Sequence, residues 1–558
     1  VRETKTTVLI VGGGPIGFSC AIELGLRNIP AIVIERRSNE KNSLPKMNSI
    51  NVRTMEFCRR WGIRDRVANT QWPPDYPRRN IYMTSLDGFE LAEFDYGADK
   101  DKKPSDISPE HFQRCPQTWF DPMLGERAGE FSTNTIRHQV ALEDLEEKGN
   151  KVYARVRDQR TRQDEIIVAD YLLGCDGGKS TTRDLLGIAV DGNPRLSTET
   201  NIYFEADNLF SDKKKATMVW FIGPLGMWSV ITAVDGTRTW RLWVSHLPHD
   251  LRMTQEQAEA YVRAAIGPDI PFKFTGTLPW LRQQLVARKY RLGRVFLCGD
   301  AVHNLTPSGG FGMNTGIQDA VDLCWKLAGV IEGWAEERVL DAYEAERRPI
   351  AIRNVNEATY TFSKLLKLPR CPHITERTEQ GDRERRELSD YIVSNKFNRE
   401  YENMGIVLGY RYIGSPICVH EGPPEEPVWT ELEEMIETDD SIMKFTPRAR
   451  PGALAPHFWM ADGRSVKDLF GTGFTLLRLG PEPPAADRLI AAAKRRRLPL
   501  VVHDIADDQA RDLYECKLAL IRPDGHVAWR GNEQPGDALM IVDTVRGAAM
   551  SEAMAAVS

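Results

Sequence analysis

The chain has 558 residues, 41% hydrophobic and 27% charged, with a formal net charge of −6. That length calls for two or three domains, and the mild negative charge excludes the broad basic field that attracts nucleic acid or an anionic membrane. No apolar run is long enough to span a bilayer, and the charged, Thr-rich opening stretch is unlike a signal peptide, so a cytoplasmic protein is expected.

The first forty residues read strand, Gly-rich turn, helix, strand: TTVLIVGGG, PIGFSCAIELGLRN, then IPAIVIERR. This is the pattern of a βαβ unit on a parallel sheet. Gly12, Gly14 and Gly17 form GxGxxG with Pro15 at the helix start, and Glu35 followed by Arg36 ends the second strand. Glycines there bring backbone N–H groups and a helix N-terminus to a pyrophosphate, while the acid is placed for the adenosine ribose hydroxyls. Two more buried strands, IIVADYLLGCDGG with Asp176 and RVFLCGD with Asp300, also end in an acid beside glycine, so one sheet is expected to gather all three at one carboxyl edge.

Between those two strands, TNIYFEAD, ATMVWFIG, MWSVITAV and TRTWRLWVSHL alternate apolar and polar residues, which predicts an antiparallel sheet covering a substrate. After Asp300 a Gly-rich loop leads into a helix start at Gly310, Gly312, Met313 and Asn314, whose free N–H groups suit the negative charge of a reduced flavin; Asp300 suits a ribityl hydroxyl. Residues 340–400 read as helical and charged, EGPPEEP at 421–427 as a boundary, and the tail as a compact βαββα series. The nine cysteines are scattered without metal-ligand or CxxC spacing, so neither a metal nor a redox disulfide is expected.

The stretches GGGPIG at 12–17, CDGGKSTTRDLLGI at 175–188 and GDAVHNLTPSGGFGMN at 299–314 resemble the three fingerprints of the class A flavin monooxygenases, or aromatic hydroxylases. RPGALAPHFWMADGRSVKDLFGTGFTLLRLG and ALIRPDGHVAWRG resemble the thioredoxin-like C-terminal domain of the phenol hydroxylase branch. The resemblance implies an α/β fold with a Rossmann-like FAD domain of the p-hydroxybenzoate hydroxylase type (1–75, 105–190 and 291–400). It adds an antiparallel substrate domain (76–104 and 191–290), a linker (401–447) and the thioredoxin-like domain (448–558). It further implies non-covalent FAD contacted by Asp176, by Gln117 in CPQTWFDPML, by Arg53 in NVRTMEFCRRWGI and by Pro307. Lys46 stands where relatives carry arginine, keeping the charge for a phosphate but losing the bidentate fork. Because the tail contains only Cys516, its thioredoxin-like domain is expected to be structural.

The activity implied is reduction of FAD by NAD(P)H, capture of O2 as a flavin hydroperoxide and hydroxylation of a small phenolic substrate, with a homodimer as the assembly. Pro307, Arg241 and His303 are the catalytic candidates; Asn48, Trp220, Trp228, Arg241 and Trp243 are the substrate candidates, with His246 a further polar group. A general base is not identified. Competing readings are another flavin enzyme on the same fold (halogenase, epoxidase-like or disulfide oxidoreductase), or an FAD-stabilised scaffold with a partner-binding tail. The halogenase WxWxIP motif and a close cysteine pair are absent.

Overall fold

A computed structural model describes residues 2–39, 44, 46, 48–207, 209–210, 214–245, 253–423, 425–426, 428–432 and 437–549. Strand Arg2–Val11 is central to the first sheet, flanked in parallel by Ala31–Glu35 and Asp164–Gly174, with Asn134–His138 and Val295–Leu297 outside them. Ala31–Glu35 is buried along its whole length, as a parallel strand covered on both faces must be. The three acid-ended segments thus come to one edge, where helix Pro15–Gly25 and the long buried helix Phe311–Glu332 pack together. An antiparallel ladder of Val140–Lys148 and Lys151–Asp158 extends the sheet; the sequence pattern did not single it out.

The second sheet runs in the order His303–Asn304, Lys273–Ala287, Val190–Glu205, Thr239–Val244, Gly226–Ala233, Met218–Gly223, Arg79–Met83, Glu90–Asp95. All neighbours are antiparallel except Met218–Gly223 on Arg79–Met83. Strand alternation gives it two unlike faces. One carries Ile81, Phe204, Phe221, Ile231, Trp240 and Leu242 and closes against helix Gln255–Ile266 through Ala258, Val262 and Ile266. That helix starts on a capping box in which Thr254 and Gln257 exchange side-chain and backbone bonds. The opposite face looks into a cavity shared with the first sheet.

The tail forms a four-stranded sheet, Leu500–Ile505, Phe474–Leu479, Leu518–Ile521, Val527–Gly531, with helices Asp487–Arg495 and Ala538–Val545 and a short, unanticipated helix Asp508–Tyr514. Its hairpin drives a fully buried Arg522 between helix Phe311–Glu332 and the long helix Asp341–Leu366 that follows it, where it meets Glu346 at 2.5 Å, Asp322 at 3.1 Å and, within the tail itself, Asp524 at 2.6 Å. Lys326 bonds both Asp322 and Glu346 at 2.5 Å. Buried charges without such partners cost several kcal/mol each, so this network fixes the tail to the first domain.

Candidate functional site

A cavity of about 1700 Å³ runs from the glycine turn of the first sheet to the open face of the second. At the first end Gly12 adopts φ +113° and donates to Ile34 O at 2.8 Å. A Cβ on Gly17 would lie 1.9 Å from Gly12 O, whereas one on Gly14 would meet nothing within 4 Å. Gly17 therefore serves close packing, and Gly14 leaves room beside the uncapped N-terminus of helix Pro15–Gly25. Glu35 accepts from Gly13 N–H at 2.9 Å and from Arg37 N–H and Nε at 2.8 and 2.9 Å. Burial opposes its charge, but these bonds and the Arg37 guanidinium hold the carboxyl below its ordinary range. It stays an ionised acceptor with a lone pair to spare for a hydroxyl.

Further along, Gly309 (φ +73°) and Gly310 (φ +64°) turn the chain through the left-handed region into helix Phe311–Glu332, whose N-terminus has no side-chain cap. Asp300, Pro307, Gly310, Gly312, Met313 and Asn314 line the cavity here. Asp300 is open to the cavity, and desolvation by the surrounding cavity walls raises the pKa of its carboxyl. Asn314 instead spends its side chain on the loop, accepting from Asn51 N–H at 3.0 Å and donating to Gly310 O at 2.7 Å. Asp176 likewise accepts from Ser180 and from Thr182 N–H at 2.9 Å, organising its own turn at the cavity wall. Gln117 donates to Asp121 at 2.9 Å, and Arg36, Lys46 and Asn48 complete the lining. Asn48 Oδ1 is buried with no partner among the described residues.

At the far end Trp220, Val230, Thr232, Arg241, Trp243 and Asn201 share the cavity face, in register across three strand pairs. Trp220 stacks on Tyr82 at 5.8 Å and meets Trp243 edge-on at 6.1 Å. Trp243 Nε1 donates to Glu199 at 2.7 Å, and Arg282 lies over its ring at 5.0 Å. Arg241 makes long contacts with Lys46 O at 3.4 Å and Thr232 at 3.5 Å and interacts with Tyr203 opposite it on the neighbouring strand. Arg114, across the cavity, donates to Ala233 O at 2.7 Å; burial first, then repulsion from Arg241, pulls its pKa down to about 10. The Nε atoms of Arg114 and Arg241 and Nε1 of Trp220 have no partner among the described residues.

Three expected site residues lie elsewhere. Arg53 is buried in the contact with the tail, pairing with Glu56 at 2.6 Å and donating to Asp524 O, so it does not reach the cavity. His303 is fully buried on Asp319 at 2.8 Å, and Asp319 is held by Arg347 at 2.7 Å. Burial works against a charge on His303, but the Asp319 carboxylate outweighs it and raises the pKa; the pair belongs to the core. Trp228 sits where the ladder slips between Phe221 and Ile222, so it turns to the closed face and stacks on Phe221 at 5.4 Å. His246 lies outside the described residues.

The structure also adds groups no linear motif marked. Glu400, Tyr401, Arg114 and Arg282 line the cavity from distant segments. Cys20, Cys175 and Cys298 bring their sulfurs within 4.8 Å of one another behind the glycine turn, a clustering that their scattered spacing conceals. Cys516 is buried, which pushes its thiol up to about 12.

Residues 5–358 match the family described as FAD binding domain, and residues 448–551 the family described as aromatic-ring hydroxylase, C-terminal. The chain is 31% identical to a 4-methyl-5-nitrocatechol 5-monooxygenase of a Burkholderia species over 96% of both chains. It is 30% identical to a 2,4-dichlorophenol 6-monooxygenase of Cupriavidus pinatubonensis, over 96% of this chain and 94% of the relative. The solved structure of the rebeccamycin biosynthetic enzyme RebC with reduced flavin superposes with a TM-score of 0.89 at 34% identity, covering 98% of this chain and all of the other.

Proposed function

The chain belongs to the family of FAD-binding aromatic-ring hydroxylases, and on that premise we propose that it hydroxylates a small phenolic ring with NAD(P)H and O2. One observation carries the reading: a single cavity joins a dinucleotide-shaped glycine turn to an aromatic and arginine-bearing sheet face, with the Pro307–Met313 loop between them. Bound FAD supplies electron transfer from the nicotinamide and the activation of O2. Gly14 leaves space for the pyrophosphate beside the N-terminus of helix Pro15–Gly25, and Lys46 adds a positive charge at the same wall. Glu35 takes the ribose hydroxyls, and Asp300 and Gln117 the ribityl chain. Pro307 and Gly310–Asn314 present the uncapped helix start to the flavin ring.

Trp220 and Trp243 hold the substrate ring, and Arg241 draws its ionised oxygen or a carboxylate. The domain limits expected from sequence are supported by sheet membership, since Arg79–Met83 and Glu90–Asp95 join the sheet of residues 190–287. Strand His303–Asn304 crosses that division. The reading also takes the protein as a cytoplasmic homodimer without nucleic-acid or membrane partners. Nine buried thiols with no disulfide fit a reducing compartment, and among the described residues no helix is long and apolar enough to cross a membrane.

The test is an anaerobic titration of the purified protein. A flavin spectrum that NADH or NADPH bleaches faster with a phenol present supports the reading; no flavin, before or after incubation with FAD, refutes it.

A further inference from the structure

We propose that Glu400 accepts the hydroxyl proton of the aromatic substrate, an assignment that rests on the hydroxylase reading above. Glu400 ends the turn Phe397–Glu400 and lines the cavity. Its Oε1 accepts from the N–H of Gly309, 91 residues away, in the left-handed turn that leads into helix Phe311–Glu332. That bond, at 3.1 Å, fixes the carboxylate against the loop assigned to the flavin ring. Next to it, Tyr401 carries the wall toward the substrate sheet, its hydroxyl 3.2 Å from Met218 Sδ. Glu400 therefore stands at the joint between the two ends of the cavity, where a ring hydroxyl and the flavin loop must meet.

The other carboxylates of the cavity wall are differently placed. Glu35, Asp176 and Asp300 all stand at the cofactor end, where Asp176 accepts from Ser180 and Thr182. Glu143 stands on the first-sheet ladder. No described cation forms an ion pair with Glu400. Arg282 attracts it from strand Lys273–Ala287 but is held by Glu199 at 3.3 Å. Glu357 on the helix behind repels it but is itself neutralised by Arg399 at 2.6 Å, which also pairs with Asp439 at 2.7 Å. Tyr401, Tyr82 and Tyr96, whose phenols burial raises, and Lys364, whose ammonium burial lowers although Glu400 favours its charge, are the further titratable neighbours.

Burial pushes the Glu400 carboxyl up to about 7, against the lowering effects of Gly309 N–H, Arg282 and Tyr401. A general base works best with a pKa near the working pH. In the step proposed, the substrate O–H bond breaks, the proton goes to Glu400 and the electron pair stays on the ring oxygen, enriching the ortho and para carbons. O2 supplies the new oxygen and NAD(P)H, as hydride, the two electrons; the second oxygen atom leaves as water, its two hydrogens balanced by that hydride and one proton from solvent. The hydroxylated carbon then loses its own proton to solvent, and Glu400 returns its proton to the original oxygen, regenerating the carboxylate.

The test compares wild type, Glu400→Gln and Glu400→Asp as FAD-loaded enzymes. Infrared spectra across pH should show a carboxyl titrating near 7 that Glu400→Gln removes. With 2,4-dichlorophenol, wild-type product formation should rise with pH through about 7, because only the ionised carboxylate accepts a proton. Glu400→Gln should flatten that rise and slow product formation about 100-fold, within the usual range for a lost general base; Glu400→Asp should restore part of it. The loss should be much smaller with 4-methyl-5-nitrocatechol, whose nitro group already acidifies the hydroxyl. Equal losses on both phenols, an unchanged pH profile or no titrating carboxyl overturns the proposal alone. Absence of turnover by the wild type on either phenol and on a wider phenol panel overturns the hydroxylase reading and this step with it.

Discussion

At the glycine end of the cavity the chain works mainly with backbone, and at the sheet end it works with side chains. The first end leaves N–H groups uncapped at two helix starts and uses glycines where a Cβ would strike Gly12 O or intrude on the open space by Gly14. The second end is a set of alternating positions, Trp220, Thr232, Arg241 and Trp243, on a sheet whose other face is already packed. The back face packs that sheet, and part of its front face closes on helical residues such as Phe362 and Leu365 through Tyr82, Trp220 and Val230, so only the positions that open on the cavity are left to be tuned for different rings. The cofactor end has no such freedom, since its geometry is the chain itself.

The comparison can be broken in four places. Arg53 belongs to neither end, so Arg53→Met should cost the most in stability, about 3–5 kcal/mol for a broken buried pair. A denaturant melt should show that loss while the folded protein keeps its FAD affinity; weakened FAD binding at full stability would return Arg53 to the cofactor end. Gly17→Ala and Gly14→Ala come next and should differ in kind. The first overpacks the turn and should destabilise even the FAD-free protein by about 1–3 kcal/mol. The second should leave that protein's melting point alone and cut FAD occupancy, and the reverse pattern would contradict the division of roles.

On the reading proposed above, Arg241→Met should remove a hydrogen bond to a charged substrate atom, worth roughly 1.5–3 kcal/mol. It should raise the substrate dissociation constant about tenfold or more, or uncouple NAD(P)H oxidation from product, with FAD content unchanged. Binding, coupling and reduction rate equal to wild type would move the pocket off this strand. Cys516→Ser should have the smallest effect, a stability change of about 1 kcal/mol and unchanged turnover, because a lone buried thiol has no partner to cycle with. Loss of turnover in a folded, yellow protein would make the tail a redox participant.

The same contrast explains what the sequence discloses. GxGxxG, Glu35 and Asp300 are legible because backbone geometry is written locally: the turn needs its glycines within six residues. Trp220, Arg241 and Trp243 follow from strand alternation, and all three line the cavity. Trp228 breaks that rule through one bulge, which no residue type announces. Arg53 meets its carbonyl partner 471 residues away, and Glu400 its N–H partner 91 residues away, so both depend on chain crossings that local pattern does not encode. His303 reads as a candidate because it follows Asp300, yet its strand pairs with Lys273–Ala287 and directs the imidazole to Asp319 in the core.

The central claim is that one cavity brings FAD chemistry to a phenolic ring. It is tested most directly by turnover under oxygen-18 gas with NAD(P)H and a panel of phenols, followed by mass spectrometry of the products. The account predicts one oxygen-18 atom per hydroxylated product and one NAD(P)H consumed for each. Products whose new oxygen comes from water, or NAD(P)H oxidation that yields only hydrogen peroxide with every phenol, would contradict it.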